Sequence, residues 1–242
     1  MLDNAPRQRG TTLVELMIAS AIGLIAIAAV VTVYAATVRH SKDQLETAHL
    51  HHQLFGLLHL ISTDIRRAGY WHFSASSQSP GDNPFTAGDN RLRSQAYPDE
   101  RDNSCILLAY DLDRDGRVGL GQCSSNPCPD GTDKDNVEQF GFRLRNLSTQ
   151  SRYGGNGVSC DSGYWQTLND ADIAITALSF DILERCTDLV DPDAPCTDDS
   201  ARLIQRAVSI ELNGQLVNKP ETEARLSRWI VVRNDIVRDA GE

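Results

Sequence analysis

The sequence predicts an α+β fold in which one long N-terminal α-helix packs on a head built from an antiparallel β-sheet. Three observations support this prediction: residues 16–38 are apolar and uncharged, an apolar stripe with helical spacing follows, and strand-like segments occupy the C-terminal half. Loops rich in Gly, Asp and Cys separate these segments, with no helical segment between them. Parallel pairing would need such crossovers, so antiparallel pairing is favoured.

The apolar run of residues 16–38 is long enough to cross a bilayer, which takes about 20 residues. Arg7 and Arg9 precede it, and the next basic residue is Arg39. By the positive-inside rule, the first ten residues stay in the cytoplasm and the rest of the chain is exported.

Glu15 stands at the entrance of this run, where a carboxylate in hydrocarbon costs on the order of 2.5–3.5 kcal/mol. A secretory signal peptide cut near Ala35 or Ala36, or a plain membrane anchor, leaves Glu15 unexplained. Cleavage after Gly10 would instead give Thr11 a free ammonium on the same helix face as Glu15, and between chains the two charges could neutralise each other. The sequence therefore predicts a processing site at Gly10 and Thr11, and a subunit-docking role for Glu15.

Basic residues, then Gly10, then "TTLVELMIA" and an uninterrupted apolar helix resemble the class III leader of type IV prepilins and type II secretion pseudopilins. The resemblance implies that prepilin peptidase cuts before Thr11 and methylates the new amino group, and that Glu15 meets the terminal amine of a neighbouring subunit. Thr11 stands where the family usually has Phe. The expected division is a leader (1–10), a transmembrane or fibre-core half of the helix (11–38), an amphipathic half (39–69) and an exported head (70–242).

The second half of the helix is predicted from an apolar stripe at spacings of four and three: Leu54, Leu58, Ile61, Ile65 and Ala68. Arg66 and Arg67 in the last turn and the following Gly69 predict a left-handed C-cap. An unbroken helix over residues 12–68 would be about 85 Å long. Gly23 and Gly56 are expected to be tolerated within it.

Residues 72–101 are rich in Ser, Gly, Asp, Asn and Pro and are predicted to form a long loop. Strands are then predicted at residues 105–110, 137–145, 173–183, 203–212 and 226–233. We expect these strands to form one sheet that packs on the helix stripe.

All six cysteines lie beyond the apolar run: Cys105, Cys123, Cys128, Cys160, Cys186 and Cys196. An even number in an exported segment indicates disulfides, and only Cys123 and Cys128 have a spacing close enough for a zinc pair. Cys186 and Cys196 would close a short loop around most of the acidic segment 188–199. Pairing Cys105 with Cys160 and Cys123 with Cys128 is one choice among several for the rest.

The segment "DLDRDGRVGLGQ" has carboxylates at positions 1, 3 and 5 and a glycine at 6, the spacing of an EF-hand calcium loop. The candidate ligands are Asp111, Asp113, Asp115, Arg117 and Gln122. Position 12 is Gln122 where a glutamate is usual, and a strand is predicted where an entering helix should be. Any missing ligand could be supplied by nearby acidic residues: Asp130, Asp133, Asp135 and Glu138. The alternative is an acidic surface turn.

All six histidines crowd the polar half of the helix and its end: His40, His49, His51, His52, His59 and His72. They are interpreted as polar faces or contacts to neighbouring subunits, with a metal site as the alternative.

Composition and motifs exclude other function classes. The net charge of −10 leaves no basic surface for nucleic acid as a main partner. The sequence has no nucleophile elbow, phosphate-binding glycine loop or His-Glu-x-x-His motif, so we expect a protein that is not an enzyme.

The segments "DIRRAGYW", "AYDLDRDG" and "LSRWIVVRND" are similar to the PilW type of minor pilin. The resemblance implies a pilin-like fold and a structural subunit that leaves the bacterial inner membrane for the surface pilus. Its partners would be the major pilin, other minor pilins and a PilY-type tip adhesin, with roles in pilus initiation, twitching motility and attachment. The alternatives are a J-like pseudopilin of type II secretion and a membrane-anchored, exported calcium-binding adhesin.

Overall fold

The computed structural model describes residues 10, 12–72, 80–119, 137–154, 159–197 and 199–241. The chain divides into two compact units, Met1–Ala48 and His49–Glu242; we call the second unit the head. Helix α1 is Leu13–Arg67. The described residues after the helix contain nine strands: β1 Arg93–Gln95, β2 Cys105–Ala109, β3 Gln139–Arg145, β4 Ser148–Gly154, β5 Tyr164–Thr167, β6 Ile173–Asp188, β7 Arg202–Leu216, β8 Lys219–Val231 and β9 Ile236–Arg238.

The single long helix predicted from the sequence is confirmed, and Gly23 and Gly56 both lie within it. In the first unit, every large apolar side chain from Leu13 to Val38 is at least 49% exposed. This part of α1 is long and apolar enough to cross a membrane. The first half of the helix therefore carries an apolar surface on all sides, as expected of a segment whose surroundings are lipid or protein.

In the head, the predicted stripe of α1 is buried. Leu54, Leu58, Ile61, Ile65 and Ala68 are each at most 4% exposed, and two further leucines on the same side join them: Leu50 and Leu57. Helical periodicity in the sequence therefore identified the face of α1 that packs in the head.

The helix ends as predicted at Gly69, whose φ of 75° is left-handed. A Cβ at this position would lie 2.8 Å from the Thr86 side chain, so the space as well as the backbone requires glycine. Asn234 donates its side-chain amide to the carbonyls of Arg67 and Ala68, at 3.1 and 3.2 Å. The last carbonyls of the helix are thus paired with the C-terminal part of the head.

The head contains two antiparallel sheets, where one was expected. The first has the order β1-β2-β3-β4-β5, and the second has the order β6-β7-β8, with β9 also paired to β7. The five predicted strands are present as β2, β3, β6, β7 and β8, with shifted ends. Four strands were missed, three of them with at most four residues (β1, β5 and β9) and one polar strand of seven residues, β4. The expected loop over 72–101 is corrected accordingly, since its described part contains β1 and two short 3-10 turns.

Both sheets contribute to one hydrophobic core with the buried face of α1. Ile106 and Phe142 of the first sheet and Phe180 and Ile210 of the second are at most 1% exposed. At Gly214 the second sheet approaches the helix so closely that a Cβ would lie 2.9 Å from Leu54 Cδ2. The helix stripe is therefore the common packing surface for both sheets.

Two disulfides are described. Cys105 of β2 is bonded to Cys160 in the segment before β5, and Cys186 of β6 is bonded to Cys196. Beside the first, Arg143 lies between the rings of Tyr97 and Trp165, 4.6 and 4.2 Å from their centroids. Burial lowers the pKa of the Arg143 guanidinium. Cys123 and Cys128 lie outside the described residues.

Candidate functional site

The first turn of α1 carries the predicted docking residue. The Thr12 hydroxyl accepts the main-chain N–H of Glu15 at 3.3 Å, and the Thr12 carbonyl accepts that of Leu16 at 3.2 Å. Thr12 is therefore an N-cap, with glutamate three residues later as in a capping box. This cap was not predicted above, although "TLVE", residues 12–15, is its local sequence signal.

The Glu15 side chain is exposed among apolar neighbours. A carboxylate in the first turn of a helix is stabilised by the helix dipole. Within the described residues, no hydrogen bond or ion pair to the Glu15 carboxylate is present. Gly10 is described, but Thr11 is not, so pairing of Glu15 with a terminal amine stays a prediction.

The predicted calcium loop brings four carboxylates together. One oxygen from each of Asp111, Asp113, Asp115 and Glu138 lies within 4.8 Å of the others. Asp111 and Glu138 are buried, at 2% and 1% exposure, while Asp113 and Asp115 are more accessible to solvent. We call these four residues the acidic loop cluster.

The other ligands predicted for the calcium loop are not all among the described residues. Gln122 and the nearby Asp130, Asp133 and Asp135 lie outside the described residues. Arg117 donates its main-chain N–H to Asp115 Oδ1 at 2.7 Å. Glu138, which is among the described residues, is brought to the loop by the fold.

Main-chain N–H groups hold the two buried carboxylates in place. Asp111 accepts those of His72, Arg114 and Gly116, at 2.9, 2.6 and 3.2 Å. Glu138 accepts those of Leu112 and Gly119, each at 2.6 Å. These bonds compensate part of the cost of burying negative charge.

The pKa of Glu138 is nevertheless raised, first by burial and then by the nearby carboxylate of Asp113, against the opposing effect of the main-chain N–H groups. Four carboxylates this close favour either a bound proton or a cation. Chemically, an all-oxygen cluster of this kind suits a hard cation such as calcium.

A surface pocket of about 360 Å³ adjoins the acidic loop cluster and is lined in part by Arg67, Tyr110 and Arg114. The Tyr110 hydroxyl donates to Asp64 Oδ1 at 3.1 Å. Burial raises the pKa of the Asp64 carboxyl and also that of Tyr110. No local sequence pattern indicates this pair, because 46 residues separate its members.

Two family models match the chain. The model described as prepilin peptidase-dependent protein B matches residues 43–232, and the model described as prokaryotic N-terminal methylation motif matches residues 5–31. The first match covers well over half of the chain, and the second includes Gly10, Thr11 and Glu15. No curated protein and no solved structure matches the chain.

Proposed function

The chain belongs to the family of prepilin peptidase-dependent protein B, and from this premise we propose that it is a minor pilin, a structural subunit of the type IV pilus. The methylation motif at its N-terminus supports a pilin or pseudopilin role and processing by prepilin peptidase. The family is a pilin-like structural family and not a family of enzymes.

The observation that carries this proposal is the combination of the motif with the surface of α1. Residues 13–38 present apolar side chains on every side, and a single carboxylate, Glu15, lies in the first turn. Such a surface needs lipid around it before assembly and protein around it afterwards. A subunit that begins in the inner membrane and ends in a fibre core meets both requirements.

We place the subunit near the tip of the pilus and assign it to the PilW type. The head comprises His49–Glu242 and has two sheets and two described disulfides. Such a bulky head suits a rare or terminal position better than repeated packing along a narrow fibre. The partners are the major pilin, other minor pilins and a PilY-type tip adhesin, and the roles are pilus initiation, twitching motility and attachment.

The nearest alternative is a J-like minor pseudopilin of type II secretion, which shares the leader and the closing-strand pattern "LSRWIVVRND". Deletion of the gene separates the two functions. Loss of pili and twitching with normal secretion supports the minor pilin, and loss of secretion with normal pili supports the pseudopilin. A membrane-anchored adhesin would leave both filaments intact.

Processing provides the direct test of the proposal. We expect mass spectrometry of the subunit from sheared, purified pili to find a chain that begins at Thr11 with a methylated amino group. The Gly10→Val variant should keep its leader and be absent from pili, because the peptidase site is lost. An intact leader, or a terminus near Ala36, in the wild-type protein would contradict the proposal.

Calcium binding by the acidic loop cluster is a separate prediction. In isothermal titration of the full-length protein in detergent, we expect weak binding, with a Kd on the order of 10⁻⁴–10⁻³ M. Asp113→Ala should abolish it, because this carboxylate faces three others. Asp193→Ala, in the exposed loop closed by the second disulfide, is the matched control. Absence of heat from the wild-type protein at millimolar calcium would refute calcium binding.

A further inference from the structure

A second cluster of side chains of the types that bind metals lies in the head, between α1 and the loop that connects β5 to β6. His49 Nε2 is 3.3 Å from Asp172 Oδ2 and 3.7 Å from Asp170 Oδ2. The three groups each offer one ligand atom, and these atoms lie within 4.8 Å of one another. The three side chains are between 40% and 54% exposed, so a cation can reach them from solvent.

The separations are compatible with a shared cation. N–H···O bonds have N···O distances of about 2.7–3.2 Å, and both distances from the imidazole exceed that range. Zinc binds histidine nitrogen and carboxylate oxygen at about 2.0–2.2 Å with tetrahedral geometry, which places neighbouring ligand atoms about 3.4 Å apart. The observed 3.3 and 3.7 Å lie on either side of this value.

The surrounding structure holds the two aspartates toward the helix. Gln53, one turn after His49, donates its side-chain amide to Asp170 Oδ2. The main-chain carbonyl of Asp170 accepts from Ile173 N at 3.1 Å, and that of Asp172 accepts from Val217 N at 2.8 Å. Hydrogen bonds of this kind orient the groups that bind a metal.

We propose that His49, Asp170 and Asp172 bind a divalent transition-metal cation of the zinc class, with water in the remaining position. An imidazole together with carboxylates favours zinc, nickel or copper, whereas calcium and magnesium prefer oxygen alone. This donor set is therefore chemically different from the all-oxygen acidic loop cluster. Binding fastens the β5–β6 loop to the first turn of α1 in the head.

The test uses the full-length protein in detergent, freed of metal with a chelator, in buffer with millimolar calcium to compete for the acidic loop cluster. After zinc is added and the excess removed by gel filtration, we expect elemental analysis to find one zinc per chain. At a zinc concentration about 100-fold above Kd, the thermal midpoint should rise by about 5–10 °C.

His49→Ala and Asp172→Asn should each lose the bound zinc and the thermal shift. His59→Ala is the matched control, since this histidine is exposed on the same helix, and it should retain both. Zinc retained by His49→Ala, or a wild-type midpoint unchanged by zinc, would overturn the proposal. One further result would overturn the proposal. If His49→Ala lowers the thermal midpoint by the same amount with and without zinc, the three residues form a simple ion pair and the loss of stability does not come from a bound metal.

Discussion

Glu15→Ala is expected to exclude the subunit from pili while its head stays folded. In the proposed assembly, the Glu15 carboxylate neutralises the terminal ammonium of a neighbouring subunit in an apolar surrounding. Removal of one member of a buried ion pair costs about 3–5 kcal/mol, because the other charge is left uncompensated. Incorporation should therefore fall at least about a hundredfold. The measurement is the amount of variant in sheared pili relative to the membrane fraction.

Glu46→Ala is the matched control for this experiment. Glu46 lies on the same helix and pairs with Lys42 one turn before it, at 3.5 Å. An exposed pair of this kind contributes little, so incorporation should remain normal. Since Glu15 is outside the core of the head, the unfolding of the head should match wild type in both variants. Pili that contain Glu15→Ala at the wild-type level would contradict the docking role.

Removal of the buried disulfide should have the largest effect on stability. Cys105 and Cys160 are at most 2% exposed and are 55 residues apart in sequence. In the chain-entropy model, a loop of this length corresponds to about 4 kcal/mol. We therefore expect the Cys105→Ala, Cys160→Ala double variant to lose about that much in free energy of unfolding, measured with denaturant on the full-length protein in detergent.

The second described disulfide provides the comparison. Cys186 and Cys196 are 10 residues apart, which corresponds to about 3 kcal/mol, and Cys186 is exposed. The double alanine variant at these positions should lose less stability than the one at Cys105 and Cys160. A larger loss of unfolding free energy in the Cys186→Ala, Cys196→Ala variant would show that loop length and burial do not determine which disulfide stabilises the head more.

The parts of the fold that the sequence predicted are those with a strong local pattern. The stripe Leu54, Leu58, Ile61 and Ile65 is a helical repeat, and all four side chains are buried. The missed strands are short or polar, for example β4, "STQSRYG", which is held by its pairing with β3. The start of β6 was predicted correctly, but its C-terminal end was missed, because the strand continues past Leu183 through mostly exposed polar residues as far as Asp188, in pairing with β7.

The candidate metal sites divide in the same way. Asp111, Asp113 and Asp115 follow a local spacing, so the sequence alone indicated that these three carboxylates lie together. Glu138 reaches them because it lies directly before β3, which pairs with β2. His49 on α1 meets Asp172 after an intervening stretch of chain that includes the five strands β1–β5. Proximity of that kind is set by tertiary packing and has no signature in a short motif.

The exposed apolar surface of residues 13–38 also restricts the route by which the subunit can leave a membrane. Fourteen large apolar side chains there face their surroundings. Bringing them from lipid into water would cost on the order of 20–40 kcal/mol. A subunit released alone into the periplasm would hardly be populated at that cost. In the proposed assembly, the helix would therefore have to pass directly from the bilayer to the filament, with each turn contacting protein neighbours as it leaves the lipid.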